Sequence, residues 1–213
     1  LTPAGVASVI SNAKNELNDA EGFARNSDQS DPVQRMLAEI FERYQRELRR
    51  NNAFDFDDLI SETVFLFRNH PDVAAQYQRK FKHILVDEYQ DTNHAQYALI
   101  RELTMPIQPD LAQQYPDLLD PRTGALPEPA SLTVVGDSDQ SIYAFRGADI
   151  RNISEFEKDF SGAKTILLEQ NYRSTNNILK AANAVIGNNF DRPNKNLWSD
   201  KGDGEKIVGY TGY

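Results

Sequence analysis

Apolar residues at helical spacing dominate the first 52 residues of the chain. The clearest case follows Asp31 and Pro32, an N-cap residue and a proline at the first helical position. The apolar positions after it recur every three or four residues and predict one amphipathic helix: Val33, Met36, Leu37, Ile40, Phe41, Tyr44 and Leu48. Cations that complement the helix dipole, or contact a phosphate, stand near its predicted end: Arg46, Arg49 and Arg50.

After residue 52 the pattern changes to alternating helices and strands. A helix is predicted from about Asp55 to Arg68, and a second begins near Pro71. Three short runs rich in apolar and β-branched residues follow, at 83–86, 132–135 and 165–168, with helical sequence between them. Such runs are typical of strands buried on both faces of a parallel sheet, which predicts an α/β fold. Residues 106–130, rich in Pro, Asp and Gln, are expected to form an inserted surface loop or a partly disordered one.

Composition limits the class of protein. The chain has 213 residues, of which 39% are hydrophobic, enough for a packed core. It has no cysteine, which excludes disulfides and thiolate metal sites and is compatible with the cytoplasm. No apolar run approaches the ~20 residues of a membrane span. The start at Leu1 has neither Met nor a signal peptide, as expected for the middle of a longer protein.

The net charge of −9 is unfavourable for a protein that binds nucleic acid through a basic surface. A negative net charge does not exclude such a protein, because a single strand can also be held by aromatic stacking and a few local cations.

The first chemical motif is ILVDEYQDTN at residues 84–93. An apolar strand that ends in Asp87 and Glu88 is a Walker-B-type arrangement. The Asp offers a hard oxygen ligand for Mg²⁺, and the adjacent Glu is suited to polarise an attacking water. A strand followed by two acids also occurs as an ordinary solvated strand end, so the specificity comes from the residues that follow.

The second motif is VVGDSDQSIYAFRGA at residues 134–148. A strand ends in a Gly-Asp turn, and the neutral amide of Gln140 follows. Tyr143 and Phe145, with Arg146, are suited to stack on unpaired bases. Core packing is the alternative role of the two aromatic residues.

The third motif is LEQNYRST at residues 168–175. Arg173 follows a predicted strand and precedes a helix with apolar residues at Ile178, Leu179, Ala182, Val185 and Ile186. Two roles are open for Arg173: an ordinary surface charge, or an arginine finger that stabilises phosphate charge in a transition state.

In this order the three motifs resemble those of the UvrD/PcrA/Rep family of superfamily-1 DNA helicases. The match runs from AFDFDDL at 53–59 to about Ala182, and the start, including SNAKNEL at 11–17, is similar to the family's 1B subdomain. The resemblance implies a RecA-like (P-loop NTPase) parallel sheet with flanking helices and an all-helical 1B-type subdomain. The implied domains are part of 1B at 1–52, the C-terminal part of motor domain 1A at 53–169, and the start of motor domain 2A at 170–213.

The resemblance also implies a role for individual residues. Asp87 would hold Mg²⁺, Glu88 would be the catalytic base, Gln140 would sense the γ-phosphate, and Arg173 would be the finger. Gln90 and Tyr172 would also contact ATP, with Tyr172 near the adenine. The implied DNA contacts are Tyr143, Phe145, where a Trp is usual in the family, and Arg146.

One expected element is missing, because no G-x-x-x-x-G-K-[ST] loop occurs in the chain. The nearest string, SGAKT at 161–165, lacks the second glycine and leads into a predicted strand. In the family that loop precedes the 1B helices. We therefore expect it upstream of Leu1 in the whole protein, and we expect this chain alone to be inactive.

Two other functions remain open at this stage. A metal-dependent nuclease would use a two-metal carboxylate site and cut DNA without ATP; its candidate residues are Asp55, Asp57, Asp58, Asp87, Glu88 and Asp91. A non-enzymatic interaction module is the second alternative. The resemblance to helicases implies 3′ to 5′ movement on single-stranded DNA, with duplex junctions as further substrates. It also implies repair or replication proteins as partners, a cytoplasmic location and no association with a membrane.

Overall fold

The computed structural model describes residues 1–143, 148–149, 151–188 and 195–211. The chain divides into two compact units, Leu1–Glu155 and Phe156–Tyr213. Two of the residues assigned to DNA contact, Phe145 and Arg146, lie outside the described residues. The predicted domain boundaries after residues 52 and 169 remain predictions.

The described residues of the first unit form a short parallel sheet flanked by helices. The helices are α1 (Pro3–Asn15), α2 (Ala20–Asn26), α3 (Pro32–Arg50), α4 (Asp58–Asn69), α5 (Pro71–Lys80), α6 (His94–Thr104) and α7 (Pro109–Gln114). The strands are β1 (His83–Val86) and β2 (Ser131–Val134), while α8 (Arg151–Asp159) crosses into the second unit, which also contains α9 (Asn176–Ile186). Within the described ranges, no helix has both the length and the apolar character that a membrane span requires.

Helix α3 begins and ends where the sequence predicts. The Asp31 side chain accepts a hydrogen bond from the Val33 N–H at 2.8 Å, which satisfies one of the free donors of the first turn. The predicted apolar stripe is only partly buried. Phe41 lies in a core with Ile10 and Ala13 of α1, whereas Val33, Met36 and Tyr44 are exposed.

A buried ion cluster joins α1 to the start of α4. The Lys14 ammonium lies 2.6 Å from Asp55 Oδ2 and 2.7 Å from Asp58 Oδ1, and the Lys14 and Asp58 side chains are only 4% and 1% exposed. The Asp55 carboxylate also accepts the Asp58 N–H at 2.8 Å, which explains why α4 begins at Asp58 and not at Asp55. Gln45 of α3 donates to Asp58 at 3.1 Å.

The pKa of Asp55 links the ion cluster to the stability of the fold. Burial raises the pKa of Asp55, but hydrogen bonds from Lys14 and the Asp58 N–H outweigh it, and the net pKa lies below the ordinary 3.8. A lowered pKa means that Asp55 contributes fully to the stability of the fold at pH values above the ordinary pKa of 3.8. This contribution is lost as the pH falls through the pKa that Asp55 has in the folded protein. Burial and a hydrogen bond to Asp55 raise the pKa of Tyr44 to about 12.

The prediction that residues 106–130 form only a surface loop is wrong. Pro109–Gln114 form α7, and Pro116–Leu118 form a single 3₁₀ turn. Ile107 and Leu118 are buried against Ala75 of α5, with Leu111 and Leu126 packed around them. The polar composition hid these few apolar anchors, because Pro109 and Pro116 divide the segment into pieces too short to give a sustained periodic signal.

Strands β1 and β2 pair in parallel, as the sequence predicts. His83 pairs with Ser131 and Val86 with Val134, so the two strands are in register and end at the same level. The connection between them contains α6 and α7. Burial on both faces is not observed in this chain: partly buried and exposed residues alternate along each strand, and Leu85 is 77% exposed.

The prediction of a third strand at residues 165–168 is wrong. These residues form no strand, and Ile166, Leu167 and Leu168 are exposed. A strand requires a neighbouring strand for its hydrogen bonds. The described part of the second unit offers only an isolated bridge between Gln170 and Trp198.

Replacing Lys14 by Met is expected to lower the free energy of unfolding by about 3–5 kcal/mol, because Asp58 would stay buried without its cation. Denaturant unfolding followed by circular dichroism measures this loss. The matched control is Arg25→Met, which removes the exposed Arg25–Glu21 pair and should cost no more than about 0.5 kcal/mol. Equal effects of the two substitutions would contradict a structural role for the cluster.

Candidate functional site

Backbone pairing continues past the named strands and brings the first two motifs together. The Val135 N–H donates to the Val86 carbonyl at 2.8 Å, and the Tyr89 N–H donates to the Val135 carbonyl at 2.9 Å. The segment after β1 therefore lies directly beside the segment after β2. Because the strands are parallel, both segments leave the sheet at its carboxyl edge, where open α/β sheets bind ligands.

Asp87 and Glu88 are exposed at this edge. Glu88 adopts a left-handed backbone conformation, with φ 49° and ψ 44°. A residue with a side chain adopts this conformation at a cost of about 1–2 kcal/mol. The Glu88 N–H donates to Asp87 Oδ1 at 2.9 Å, which holds the Asp87 carboxylate against the backbone of the turn.

Gln90 is buried beneath these acids, at 2% exposure. Its Nε2 donates to Glu88 Oε2 at 2.8 Å, and its Oε1 accepts the Asp137 N–H at 2.9 Å. The side-chain amide thus connects the first motif to the second. Both of its polar atoms are used inside the protein, and the predicted contact of Gln90 with a nucleotide remains a prediction.

Gly136 allows the two motifs to approach this closely. A Cβ at this position would lie 2.7 Å from Gln90 Oε1 and 3.2 Å from both the Gln90 backbone N and the Tyr89 Cβ. Glycine is therefore favoured here, because a Cβ would overlap the buried Gln90 amide oxygen and crowd the segment after β1.

The turn after β2 positions Gln140. Asp137 caps the 3₁₀ turn Ser138–Gln140 by accepting the Asp139 N–H. Its Oδ2 also accepts the Gln140 Nε2 at 2.7 Å. The Gln140 side chain is exposed at the same edge as Glu88, and its amide oxygen has no hydrogen-bond donor among the described residues.

Asn152, which the sequence did not indicate, stabilises the end of the first motif. Asn152 is 1% exposed, and its Nδ2 donates to the Thr92 carbonyl at 2.7 Å. The same carbonyl accepts the Asp149 N–H at 3.1 Å. Thr92 belongs to the quoted first motif, but no local pattern marks Asn152, because its role depends on a contact between residues 60 positions apart.

The remaining predicted site residues are distributed over both units. Tyr143, in the first unit, is 38% exposed. Tyr172 and Arg173 belong to the second unit. There Tyr172 is 75% exposed, and its hydroxyl donates to Gln170 Oε1 at 2.9 Å. The guanidinium of Arg173 is exposed and has no acidic partner among the residues that the structure describes.

The donor set at the sheet edge fits Mg²⁺ better than a two-metal nuclease site. Asp87 is exposed, and its Oδ2 has no partner in the described ranges. One carboxylate of this kind, with waters and phosphate oxygens, is a usual Mg²⁺ environment. In contrast, Asp55 and Asp58 are paired with Lys14. No group of three or more metal-ligating side chains occurs in the described residues, so the nuclease alternative is not favoured.

Replacing Gly136 by Ala is expected to lower the free energy of unfolding by about 1–3 kcal/mol, because the added methyl group overpacks a site where Gln90 is held on both sides. Denaturant unfolding measures the change. Gly162→Ala is the matched control, since a Cβ at Gly162 meets nothing within 4 Å. An unchanged midpoint for Gly136→Ala would show that the backbone approach is not as close as described.

Comparison with known proteins supports the resemblance found in the motifs. The model of the UvrD/REP helicase N-terminal domain matches residues 2–161, and that of the UvrD-like helicase C-terminal domain matches residues 166–213. The chain is 54% identical over 211 residues to the ATP-dependent DNA helicase UvrD1 of Mycobacterium leprae, covering 99% of the chain and 26% of that relative. It is 46% identical over 210 residues to the ATP-dependent DNA helicase PcrA of Bacillus subtilis, covering 99% and 25%.

The chain thus spans about a quarter of the length of the curated relatives it matches. The match to the N-terminal domain model alone covers most of the chain and contains both motifs that meet at the sheet edge. From this match and from the motifs that it includes, the chain belongs to the UvrD/REP helicase family.

Proposed function

We propose that the chain is part of an ATP-dependent DNA helicase that moves 3′ to 5′ along single-stranded DNA. The observation that carries the proposal is the parallel, in-register pairing of β1 with β2, which brings Asp87, Glu88 and Gln140 to one edge of the sheet. The printed names of the relatives, which are ATP-dependent DNA helicases, support it. In this proposal residues 53–169 belong to a RecA-like motor domain, 1–52 to a 1B-type subdomain, and 170–213 to the second motor domain.

Glu88 is the proposed general base. Its carboxylate is exposed, and one oxygen is occupied by Gln90. The other oxygen has no donor among the described residues and is therefore open to accept a proton from an attacking water. Glu88 also has a left-handed backbone conformation, which is strained for a residue with a side chain. A strained conformation next to reactive groups is typical of catalytic sites.

Asp87 is the proposed Mg²⁺ ligand, through the carboxylate oxygen that the Glu88 N–H leaves free. Bound Mg²⁺ would supply charge neutralisation at the phosphates of ATP. Gln140 is proposed to sense the γ-phosphate through its amide, whose nitrogen is already held by Asp137. Arg173 is the proposed arginine finger, and Tyr172 and Gln90 complete the proposed nucleotide contacts.

The proposed DNA contacts are Tyr143, Phe145 and Arg146. Tyr143 offers an exposed aromatic ring, and stacking of a base on such a ring contributes about 1–3 kcal/mol. The substrates proposed are single-stranded DNA and duplex junctions. We place the whole protein in the cytoplasm, in DNA repair or replication, with proteins of those processes as partners.

Glu88→Gln in the whole protein is expected to lower the kcat for ATP hydrolysis by ~10²–10⁴-fold, because an amide cannot accept the proton of water. ATP binding should change little, since size and hydrogen bonding are retained. Steady-state turnover and nucleotide titration measure the two effects. The charge-matched control is Glu128→Gln, since Glu128 is exposed and lies in the loop that precedes β2. Near-normal turnover of Glu88→Gln would exclude Glu88 as the base.

The isolated chain of 213 residues is expected neither to hydrolyse ATP nor to unwind DNA. Phosphoryl transfer needs several groups in position at once, and the chain has no phosphate-binding loop of the G-x-x-x-x-G-K-[ST] type. The measurement is steady-state ATP hydrolysis with excess single-stranded DNA and Mg²⁺. DNA-stimulated turnover that disappears in Asp87→Ala would contradict the expectation.

A further inference from the structure

Gln90 differs from the two adjacent acids of the first motif, Asp87 and Glu88, in being almost completely buried. Asp87 and Glu88 are exposed, whereas Gln90 is 2% exposed and lies beneath them. A buried amide must satisfy its donors and its acceptor within the protein. The orientation of the Gln90 amide therefore shows which groups it holds by hydrogen bonds.

The orientation of the Gln90 amide is determined by its neighbours. The Glu88 carboxylate can only accept, and it lies 2.8 Å from Nε2. The Asp137 N–H can only donate, and it lies 2.9 Å from Oε1. The opposite orientation would place an oxygen against a carboxylate and an NH₂ group against an N–H, which loses both hydrogen bonds.

We infer that Gln90 is a positioning residue that holds the Glu88 carboxylate in place for proton transfer. The inference rests on the proposed function, in which Glu88 is the general base. Gln90 fixes one carboxylate oxygen and leaves the other free. A hydrogen bond to a charged acceptor of this kind is stronger than a neutral one, and a base must lie within hydrogen-bond reach of its water.

The same amide ties the base to the second motif. Gln90 Oε1 holds the Asp137 backbone, and the Asp137 side chain holds the Gln140 amide at 2.7 Å. Glu88 and Gln140 are thus linked through two buried or partly buried residues. Gly136 keeps this link short, because any larger residue would collide with Gln90 Oε1.

The charged groups around Gln90 make a substitution by Glu informative. Asp87, Glu88 and Asp91 come from its own segment, with Asp91 Oδ2 at 3.4 Å from the Gln90 Nε2. Asp137 and Asp139 come from the turn after β2. Asp91 Oδ1 is buried without a hydrogen-bond partner. A second carboxylate at position 90 would therefore face acidic groups and would repel the Glu88 carboxylate that the Gln90 amide holds.

The experiment compares Gln90→Glu and Gln90→Met with the unsubstituted whole protein, by measuring kcat and KM for ATP against pH. Both variants are expected to lower kcat by at least ~10-fold, a part of what a general base contributes, with KM for ATP within ~3-fold. Only Gln90→Glu should move the acid limb of the kcat profile to higher pH. A role limited to packing would lower activity without moving that limb.

Gln96→Glu is the matched control. It makes the same charge change, and a Glu at this position keeps the capping box in which Gln96 Oε1 accepts the Asn93 N–H at 3.0 Å. Its kcat and pH profile should match those of the unsubstituted protein. Thermal unfolding of each variant identifies any loss of fold, and Gln90→Met, which adds no charge, decides the question if Gln90→Glu does not fold.

Three results would overturn the inference. The first is a Gln90→Glu protein with unchanged kcat and pH profile. The second is a raised KM for ATP with unchanged kcat in Gln90→Met, which would leave Gln90 only its proposed nucleotide contact and no role in positioning Glu88. The third is the same shift of the acid limb in Gln96→Glu. Glu88→Gln in the same assay separates the two levels: if it retains turnover, the proposed base is wrong, and if it is inactive, only the role of Gln90 is at issue.

Discussion

The site depends on the parallel, in-register pairing of two four-residue strands. Val86 and Val134 end at the same level, and the hydrogen bonds of Val135 and Tyr89 extend the pairing into the loops. Antiparallel strands would have put the two loops at opposite edges of the sheet. Parallel strands require a long crossover, and here it contains α6 and α7. Gln90 and Asp137, 47 positions apart, are thereby brought within hydrogen-bond distance.

Buried polar side chains of the loops beyond the strands are hydrogen-bonded within the protein. Gln90 and Asn152 are both nearly inaccessible, and each side-chain amide bonds to backbone of a distant segment. Buried neutral amides make these structural contacts. The exposed carboxylates of Asp87 and Glu88 each keep one oxygen without a hydrogen-bond partner among the described residues. This division of roles explains how Glu88 can be exposed and yet held in one orientation.

A second buried polar cluster gives the N-terminal helices a fixed place within the first unit. Lys14 of α1 binds the two carboxylates at the start of α4, and Asn15 of the same helix accepts a hydrogen bond from Asn93, the cap of α6, at 2.7 Å. A buried ion pair adds little net stability compared with apolar packing, but it penalises any arrangement that separates the partners. Adjacent residues of α1 thus contact both α4 and the helix that follows the first motif.

The sequence by itself determined the helices with clear caps and period, the first two strands and the three motifs. Local signals sufficed for these, as for α3, whose start needs only Asp31 and Pro32. It did not reveal α7, because Pro109 and Pro116 leave only a short segment between them. It also predicted a strand at 165–168 that is absent, because an apolar run does not supply its own hydrogen-bonding partner. The tertiary structure alone decided the roles of Lys14, Gly136, Gln90 and Asn152. Each depends on a contact between segments far apart in the chain, and burial and hydrogen bonding at such a contact leave no local pattern.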